Sequence, residues 1–157
     1  DLSGDIKYNF VHAVGSADSV VSYTPSVTQW LYTKINTSSA TNGMIWRETD
    51  GMTCKGDSIT ILKAGDYKGE MSITLSGTNA GDFWRVKVYK NGAEFSPNLG
   101  RFRFRTVTNN VTDTRSYFWY MPDLAVNDII TFRITNESAS RNPTITDMKI
   151  YIEKKPE

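Results

Sequence analysis

The chain has 157 residues, and its 18 Lys and Arg residues are balanced by 17 Asp and Glu residues. That length is typical of one domain, and the balanced charge argues against a nucleic-acid binder, which usually carries a basic excess. Val, Ile and Thr together number 40, against 20 for Ala, Leu and Glu, so β-branched strand formers dominate and an all-helical protein is excluded. No apolar run approaches the roughly 18 residues that a membrane span needs.

Strand signals recur about every ten residues along the whole chain. Apolar or alternating runs predict strands over residues 6–14, 27–35, 44–47, 58–62, 67–75, 83–90, 101–107, 117–121, 129–135 and 145–152. Asn91-Gly92 joins two alternating segments and predicts a type I′ hairpin, because that turn needs positive φ at both central residues. The only helical signal is a single turn near 123–125. Nine or ten short antiparallel strands predict a single all-β domain over 1–157, a β-sandwich or a barrel.

Three stretches resemble a known jelly roll. Residues 59–67 carry a strand that runs into a Gly-x-Tyr turn, and residues 83–92 end in Lys-Asn-Gly. Residues 124–134 are similar to the Leu-x-x-Gly-Asp opening of a further strand, and the strand at 145–152 closes the set. In this order the stretches resemble the jelly roll shared by tumour necrosis factor (TNF) and the globular heads of complement-type proteins. Asn127 stands where that family usually has Gly, and the charged residues 153–157 replace an apolar end.

The resemblance implies more than a fold. Disulfide-free versions of this jelly roll, rich in Thr and Asn, are typical of bacteriophage and virus fibre tips, spikes and tail-needle knobs, which usually form trimers. A homotrimeric antiparallel jelly-roll sandwich is therefore expected. The sequence starts at Asp1 rather than Met and no signal peptide follows, so we expect a processed piece of a longer protein. Residues 1–26 are then expected to be an N-terminal arm or a linker to an upstream fibre region.

Groups for catalysis or metal binding are scarce in the sequence. A Ser-His-Asp triad would need His12, the one histidine, which lies near no Gly-x-Ser-x-Gly motif. Cys54 is the one cysteine and is interpreted as a half-buried structural thiol. A zinc site needs three or four His or Cys ligands, so one chain cannot supply it. No cofactor and no catalytic residue are predicted, whereas paired carboxylates and a calcium loop stay open.

Consecutive aromatic residues occupy 117–121, a predicted strand. Neighbouring side chains of a strand point to opposite faces, so aromatic side chains lie on both faces here. One set, Tyr117 with Trp119 or Phe118 with Tyr120, can fill the core, and the other set needs cover. We assign Tyr117, Trp119 and Tyr151 to a trimer interface, with the strand at 148–152 beside this one, and leave open which parity faces the neighbour. A glycan-stacking platform and a larger core within one chain are the alternatives.

Alternation in Arg-Phe-Arg-Phe-Arg places Arg101, Arg103 and Arg105 on one face of a strand. We call these three residues the arginine stripe. Their like charges repel unless an anion lies nearby. The stripe is either a solvated face with acids on a neighbouring strand, or a site for a carboxylate or phosphate, within one chain or between subunits. A single-strand nucleic-acid binder is a weaker interpretation because the remaining charge is balanced.

These observations favour a non-enzymatic trimeric knob of a phage or viral fibre, spike or tail needle, located in the virion. Its expected partners are its own copies and a host cell-surface component, which could be a glycan or a small anionic ligand. One alternative is a carbohydrate-binding module of a secreted enzyme, in which Trp30, Trp46, Trp84 and Trp119 stack on sugars. The other is a secreted TNF-like ligand, which would be extracellular.

Overall fold

The computed structural model describes residues 12–17, 27–31, 33–35, 45–48, 51–55, 58–95 and 101–156. For the first three strands and for residues 101 and 102 it describes the backbone alone. The strands, in chain order, are β1 His12–Ala17, β2 Thr33–Lys34, β3 Ile45–Glu48, β4 Met52–Lys55, β5 Ser58–Ile61, β6 Gly65–Ser76, β7 Phe83–Lys90, β8 Ala93–Glu94, β9 Arg101–Arg105, β10 Asp113–Leu124, β11 Ile129–Asn136 and β12 Thr144–Lys154.

The strands form two antiparallel sheets, as the strand pattern predicts. Sheet A has the order β10-β6-β12-β1-β3. Sheet B has the order β4-β5-β11-β7-β8, with β2 paired to β11 and β9 paired to β7. The described residues contain no helix, and 123–125, where one helical turn was predicted, hold the end of β10 instead. The predicted all-β sandwich is confirmed.

The core lies between the sheets and is filled by alternate side chains of the long strands. In β6 the buried positions are Tyr67, Gly69, Met71, Ile73 and Leu75, while the residues between them are partly or fully exposed. The inward-facing residues of β7 are Trp84, Val86 and Val88, and those of β11 are Ile130, Phe132 and Ile134. This period-2 burial is the reason that sequence alternation located these strands correctly.

The hairpin at Asn91-Gly92 has the predicted conformation. Asn91 has φ 51° and Gly92 has φ 81°, which is the pair of positive values that a type I′ turn requires. Asn91 also ties the hairpin to the start of β11. Its Nδ2 donates to Asp128 Oδ1 at 2.7 Å, and its Oδ1 accepts a hydrogen bond from the backbone N–H of Ile129 at 2.8 Å.

Residues 27–35 were predicted as a strand, and that prediction is wrong for most of the segment. Trp30 has φ 65°, and the Leu31 N–H donates to the Thr28 carbonyl at 3.0 Å, so the chain turns here. Within the described part of 27–35, the strand is limited to Thr33–Lys34, which pairs with β11 of sheet B. Alternation alone missed the turn because it carries no information about backbone handedness.

The pattern also missed β4, whose four residues include just one fully buried side chain, that of Met52.

Strand β10 forms the edge of sheet A, which explains how it accommodates a proline. Pro122 has no N–H to donate, and an edge strand tolerates this on its unpaired side. The turn after β10 contains Asn127 with φ 71°. Glycine adopts that conformation freely and Asn is one of the few other residues that tolerate it. The Asn at the position where the resembling family has Gly is therefore compatible with the same turn.

A buried indole hydrogen bond links β7 to the end of β9. Trp84 is fully buried, and its Nε1–H donates to Thr106 Oγ1 at 2.6 Å. We expect Thr106→Val, which keeps the side-chain volume, to destabilise the fold by about 1–3 kcal/mol because the indole N–H loses its partner in a dry site. Urea unfolding measures this effect. Thr108→Val, at an exposed threonine two residues away, is the control, and an equal loss in both variants would contradict the explanation.

Candidate functional site

The orientation of β10 decides which of its aromatic side chains reach the surface. Trp119 is 4% exposed and packs edge-on against Phe132 of sheet B, with ring centroids 5.4 Å apart. Tyr117 is partly buried against the same core. Phe118, in contrast, is 71% exposed, and Tyr120 shares its outward direction. Of the two parities that the sequence left open, the structure turns Phe118 and Tyr120 outward, whereas Tyr117 and Trp119, which were assigned to a trimer interface, pack toward the core of one chain.

A glycine makes room for Trp119. Gly69 of β6 lies directly opposite Trp119 in the strand register. A Cβ built on Gly69 would come well inside 3.0 Å of the indole ring, which shows that the ring lies flat over this backbone. A glycine inside a strand often marks such a close approach. This was a sequence signal for the direction of Trp119 that strand alternation alone did not supply.

Two cross-strand rows cover the outer surface of sheet A. Phe118, Glu70 and Tyr151 form one row across β10, β6 and β12. The next row holds Tyr120, Lys68 and Glu153. We call the surface made by Phe118, Tyr120 and Tyr151 the aromatic face. The strand at 148–152 does not lie beside 117–121 as predicted, because β6 separates them, but Tyr151 still joins the aromatic residues across that strand.

Polar contacts hold the outer residues of the aromatic face in place. The Tyr120 hydroxyl donates to Asp66 Oδ2 at 2.5 Å, and the backbone N–H of Asp123 donates to Asp66 Oδ1 at 3.0 Å. The hydrogen bond from Tyr120 and then that from Asp123 lower the pKa of Asp66. The ammonium group of Lys155 lies 4.9 Å from the centre of the Tyr120 ring. Tyr120 is therefore anchored at its hydroxyl end, with a ring edge left at the surface.

A second polar cluster fixes the other side of the face. Glu153 accepts a hydrogen bond from the Tyr151 hydroxyl and forms an ion pair with Lys68. Burial raises the pKa of Tyr151, so its hydroxyl stays protonated at neutral pH. An open cavity of about 600 Å³ lies over this surface, lined by Lys68, Gly69, Glu70, Tyr117, Phe118, Trp119, Tyr120, Tyr151 and Glu153. Its size suits a ligand ring or an inserted side chain.

Two residues of the arginine stripe, Arg103 and Arg105, lie on the outer face of sheet B. Arg103 pairs in register with Arg85 of β7, and Arg105 with Phe83. Arg103 Nε is 2.5 Å from Glu137 Oε2, and its guanidinium carbon lies 4.0 Å from the centre of the Phe83 ring. Glu137 also forms an ion pair with Arg85. A carboxylate of the same chain therefore meets one of the three arginines, whereas the side chain of Arg101 lies outside the described residues.

The structure offers little for catalysis or metal binding among the residues it describes. Within that part of the chain, no three His, Cys, Asp or Glu side chains come close enough to hold a metal ion. Cys54 is partly buried and packs against the core. The backbone of His12 lies in β1, and its side chain is outside the described residues. No helix suited to crossing a membrane occurs in the described part of the chain.

Among the three tryptophans whose side chains are described, one is exposed and two are buried. Trp84 and Trp119 are core residues, and Trp30, which is 57% exposed, lies in the turn at 27–31. The side chain of Trp46 is outside the described residues. The aromatic side chains gathered on one surface are those of Phe118, Tyr120 and Tyr151.

Solved structures with the same arrangement of strands decide the type of jelly roll. The Eiger TNF of S. frugiperda aligns over 94% of this chain and 94% of its own, with a TM-score of 0.56 and 12% identity. Murine APRIL aligns over 92% and 99%, with a TM-score of 0.56 and 14% identity. The PRD1 vertex protein P5 aligns over 93% and 97%, with a TM-score of 0.53 and 18% identity. The fold is a TNF-like jelly roll.

The resemblance seen in the sequence is thereby confirmed at the level of the fold. No protein-family model matches the chain, and no curated protein matches its sequence. The TNF-like jelly roll extends over more of the chain than the three stretches from 59 to 134 that indicated it, because the alignments cover more than nine-tenths of its length. Residues 12–17, part of the segment expected to be an arm, belong to sheet A as β1, while residues 1–11 and 18–26 lie outside the described residues.

Proposed function

We propose that this protein is a non-enzymatic trimeric knob of a phage or viral fibre, spike or tail needle, which attaches the virion to a host surface or engages the host envelope. The fold supports the proposal, since it is shared with the PRD1 vertex protein P5 as well as with TNF-type proteins. A non-enzymatic role agrees with a chain that has one histidine and one cysteine.

The main observation that supports a trimer is the aromatic face. Phe118 is 71% exposed in the middle of β10, with Tyr120 two residues further along the same strand and Tyr151 in the same row across the sheet. An aromatic side chain covers roughly 150–250 Å² when buried, so three together make an apolar surface of a few hundred Å², the size that marks an interaction site. In the trimer, this surface packs against the neighbouring copy.

Glu70 predicts which groups the neighbouring copy presents at that contact. It lies between Phe118 and Tyr151 in the outer row of sheet A and has no ion pair among the described residues. A ring of three identical subunits joins two different surfaces of each copy, so the surface opposite the aromatic face need not repeat it. We therefore expect the neighbour to present a hydrogen-bond donor or a cation to Glu70, within an otherwise apolar contact.

Light scattering after size exclusion tests the trimer. We expect a mass of about three times 17.7 kDa. Phe118→Ser should convert the protein to monomers at micromolar concentration, because truncation of a buried aromatic residue costs roughly 3–5 kcal/mol and the loss occurs at three contacts. Leu62→Ser, at a hydrophobic residue that is 46% exposed in the turn between β5 and β6, is the control and should stay trimeric. A wild-type monomer would refute the proposed assembly.

The attachment role needs a separate experiment. Purified wild-type protein should bind intact host cells and compete with virion adsorption, while the monomeric Phe118→Ser variant should compete far less because it has lost multivalent contact. A monomeric wild-type protein that binds soluble oligosaccharides through Tyr120 and Tyr151 would support a carbohydrate-binding module instead. A trimer that competes with no virion and binds an animal cell receptor would support a secreted ligand.

A further inference from the structure

A basic cleft lies where the edge of sheet A meets the edge of sheet B. It has a volume of about 480 Å³ and runs between β9 and β10, lined by Arg103, Phe104, Arg105, Val107, Arg115, Ser116 and Tyr117. Three of these seven residues are arginines, and none is acidic. We call this region the edge cleft. It contains two members of the arginine stripe and adds Arg115, which the sequence pattern did not connect with them.

Among the described residues, the positive charge around the edge cleft exceeds the negative charge. Glu137 is shared between Arg85 and Arg103, so one carboxylate serves two guanidinium groups. Arg115 has one acidic partner, Asp113 Oδ2, at 2.8 Å on the same strand. Arg105 has no ion pair among the described residues, and its guanidinium carbon lies 5.6 Å from the centre of the Phe83 ring. Among the described residues, the three arginines of the cleft and the neighbouring Arg85 therefore share two carboxylates.

The side chains around this excess charge suit an oxyanion. Guanidinium groups present planar pairs of N–H donors that match the two oxygens of a carboxylate or phosphate. Arg105 and Arg115 come from different sheets, so they can approach a ligand from two sides of the edge cleft. Arg103 is held in place by Glu137 and by the Phe83 ring, which lowers the entropy lost on binding.

We propose that the edge cleft binds a small oxyanion, the carboxylate or phosphate group of a solute, through Arg105 and Arg115. The edge cleft shares Tyr117 with the cavity over the aromatic face, but the proposal does not depend on the attachment role. Arg103 supports it by adding positive charge and by positioning the wall of the cleft. The anion supplies the negative charge that Glu137 and Asp113 leave unmet.

Calorimetric and thermal titrations of the full chain test the proposal. Citrate is the carboxylate probe and inorganic phosphate is the phosphate probe, and NaCl keeps the ionic strength constant. We expect the unfolding temperature to rise with the logarithm of probe concentration, because a ligand that binds only the folded form stabilises it. Arg105→Gln and Arg115→Gln should each raise the Kd of the probe about ten- to hundredfold, as expected when a charge-assisted pair of hydrogen bonds is lost. Lys63→Gln, which removes one charge from an exposed turn, should leave the Kd unchanged.

The comparison between probes identifies the ligand chemistry. Tighter binding of citrate indicates a carboxylate ligand, and tighter binding of phosphate indicates a phosphate ligand. If an arginine variant fails to fold, Arg105→Lys keeps the charge but loses the planar pair of donors, and it should still weaken binding. The proposal is overturned if neither probe shifts the unfolding temperature beyond the NaCl control, or if Arg105→Gln binds the probes as tightly as Lys63→Gln does.

Discussion

Gly69→Ala should destabilise the protein by about 1–3 kcal/mol, although it adds only a single methyl group. That methyl group would overlap the indole ring of Trp119, which lies against the Gly69 backbone and packs on Phe132. The ring cannot move aside easily, because it is enclosed between the two sheets. Chemical unfolding at a fixed protein concentration measures the loss, and near-ultraviolet circular dichroism should show a changed tryptophan environment.

Two further variants separate this overlap from a general effect of substitution in β6. Ser72→Ala lies in the same strand and should change stability by less than about 0.5 kcal/mol, as is usual for partly exposed sites. In a Trp119→Phe background the smaller ring leaves room, so Gly69→Ala should cost less there than in the wild type. The indole N–H of Trp119 has no hydrogen-bond partner among the described residues, which makes Phe a suitable replacement. Additive effects of the two substitutions would contradict the overlap.

Asp82→Ala should cost about 1–3 kcal/mol, the typical loss when a buried polar group, here the Asn136 amide, is left without its acceptor. Asp82 is 1% exposed. Its Oδ2 accepts hydrogen bonds from Arg141 Nε at 2.8 Å and from Asn136 Nδ2 at 3.0 Å, and its Oδ1 pairs with Arg141 Nη2. Without the carboxylate, the Arg141 guanidinium and the Asn136 amide lose their shared acceptor. Thermal unfolding at pH 7 measures the loss.

The same residue makes a prediction about acid stability. The hydrogen bonds from Arg141 lower the pKa of Asp82 in the folded state. The unfolded value is about 3.9, so the stabilisation is complete above that pH and is lost as the pH falls through the lower folded pKa. The stability difference between the wild type and Asp82→Asn should therefore be largest near neutral pH and should shrink below about pH 4. A difference that does not change between pH 7 and pH 3 would show that the charge of Asp82 is not responsible.

The strand pattern and the turn chemistry were sufficient to predict the sandwich. Alternation located β6, β7 and β11 because each has one dry face, and Asn91-Gly92 fixed one hairpin because few other residue pairs accept its backbone angles. The site was harder to predict. All positions of 117–121 except the last are aromatic, so the strand itself does not show which set faces the core, and only its pairing with Gly69 does.

Contacts between remote segments account for the rest of what the sequence did not show. Arg115 joins Arg105 in the edge cleft because the ends of two different sheets meet there, and no spacing along the chain encodes that meeting. Glu137 lies after the end of β11, yet it is the acid that pairs with Arg103 of β9. Residues 27–35 contain apolar residues at strand spacing, but hydrogen bonds to the loop after β11 hold them in a turn.

The pairing of β1 also determines when the protein can fold during its synthesis. β1 lies inside sheet A between β12 and β3, and His12 pairs with Glu153. All residues from β1 to β12 must leave the ribosome before this pairing can form, which at about 5–20 residues per second takes several seconds or more. Such high contact order is typical of folding on the millisecond-to-second timescale. Until β12 emerges, β1 and β6 each lack one of their two partner strands, so nascent chains crowded on one messenger RNA are exposed to mispairing with each other.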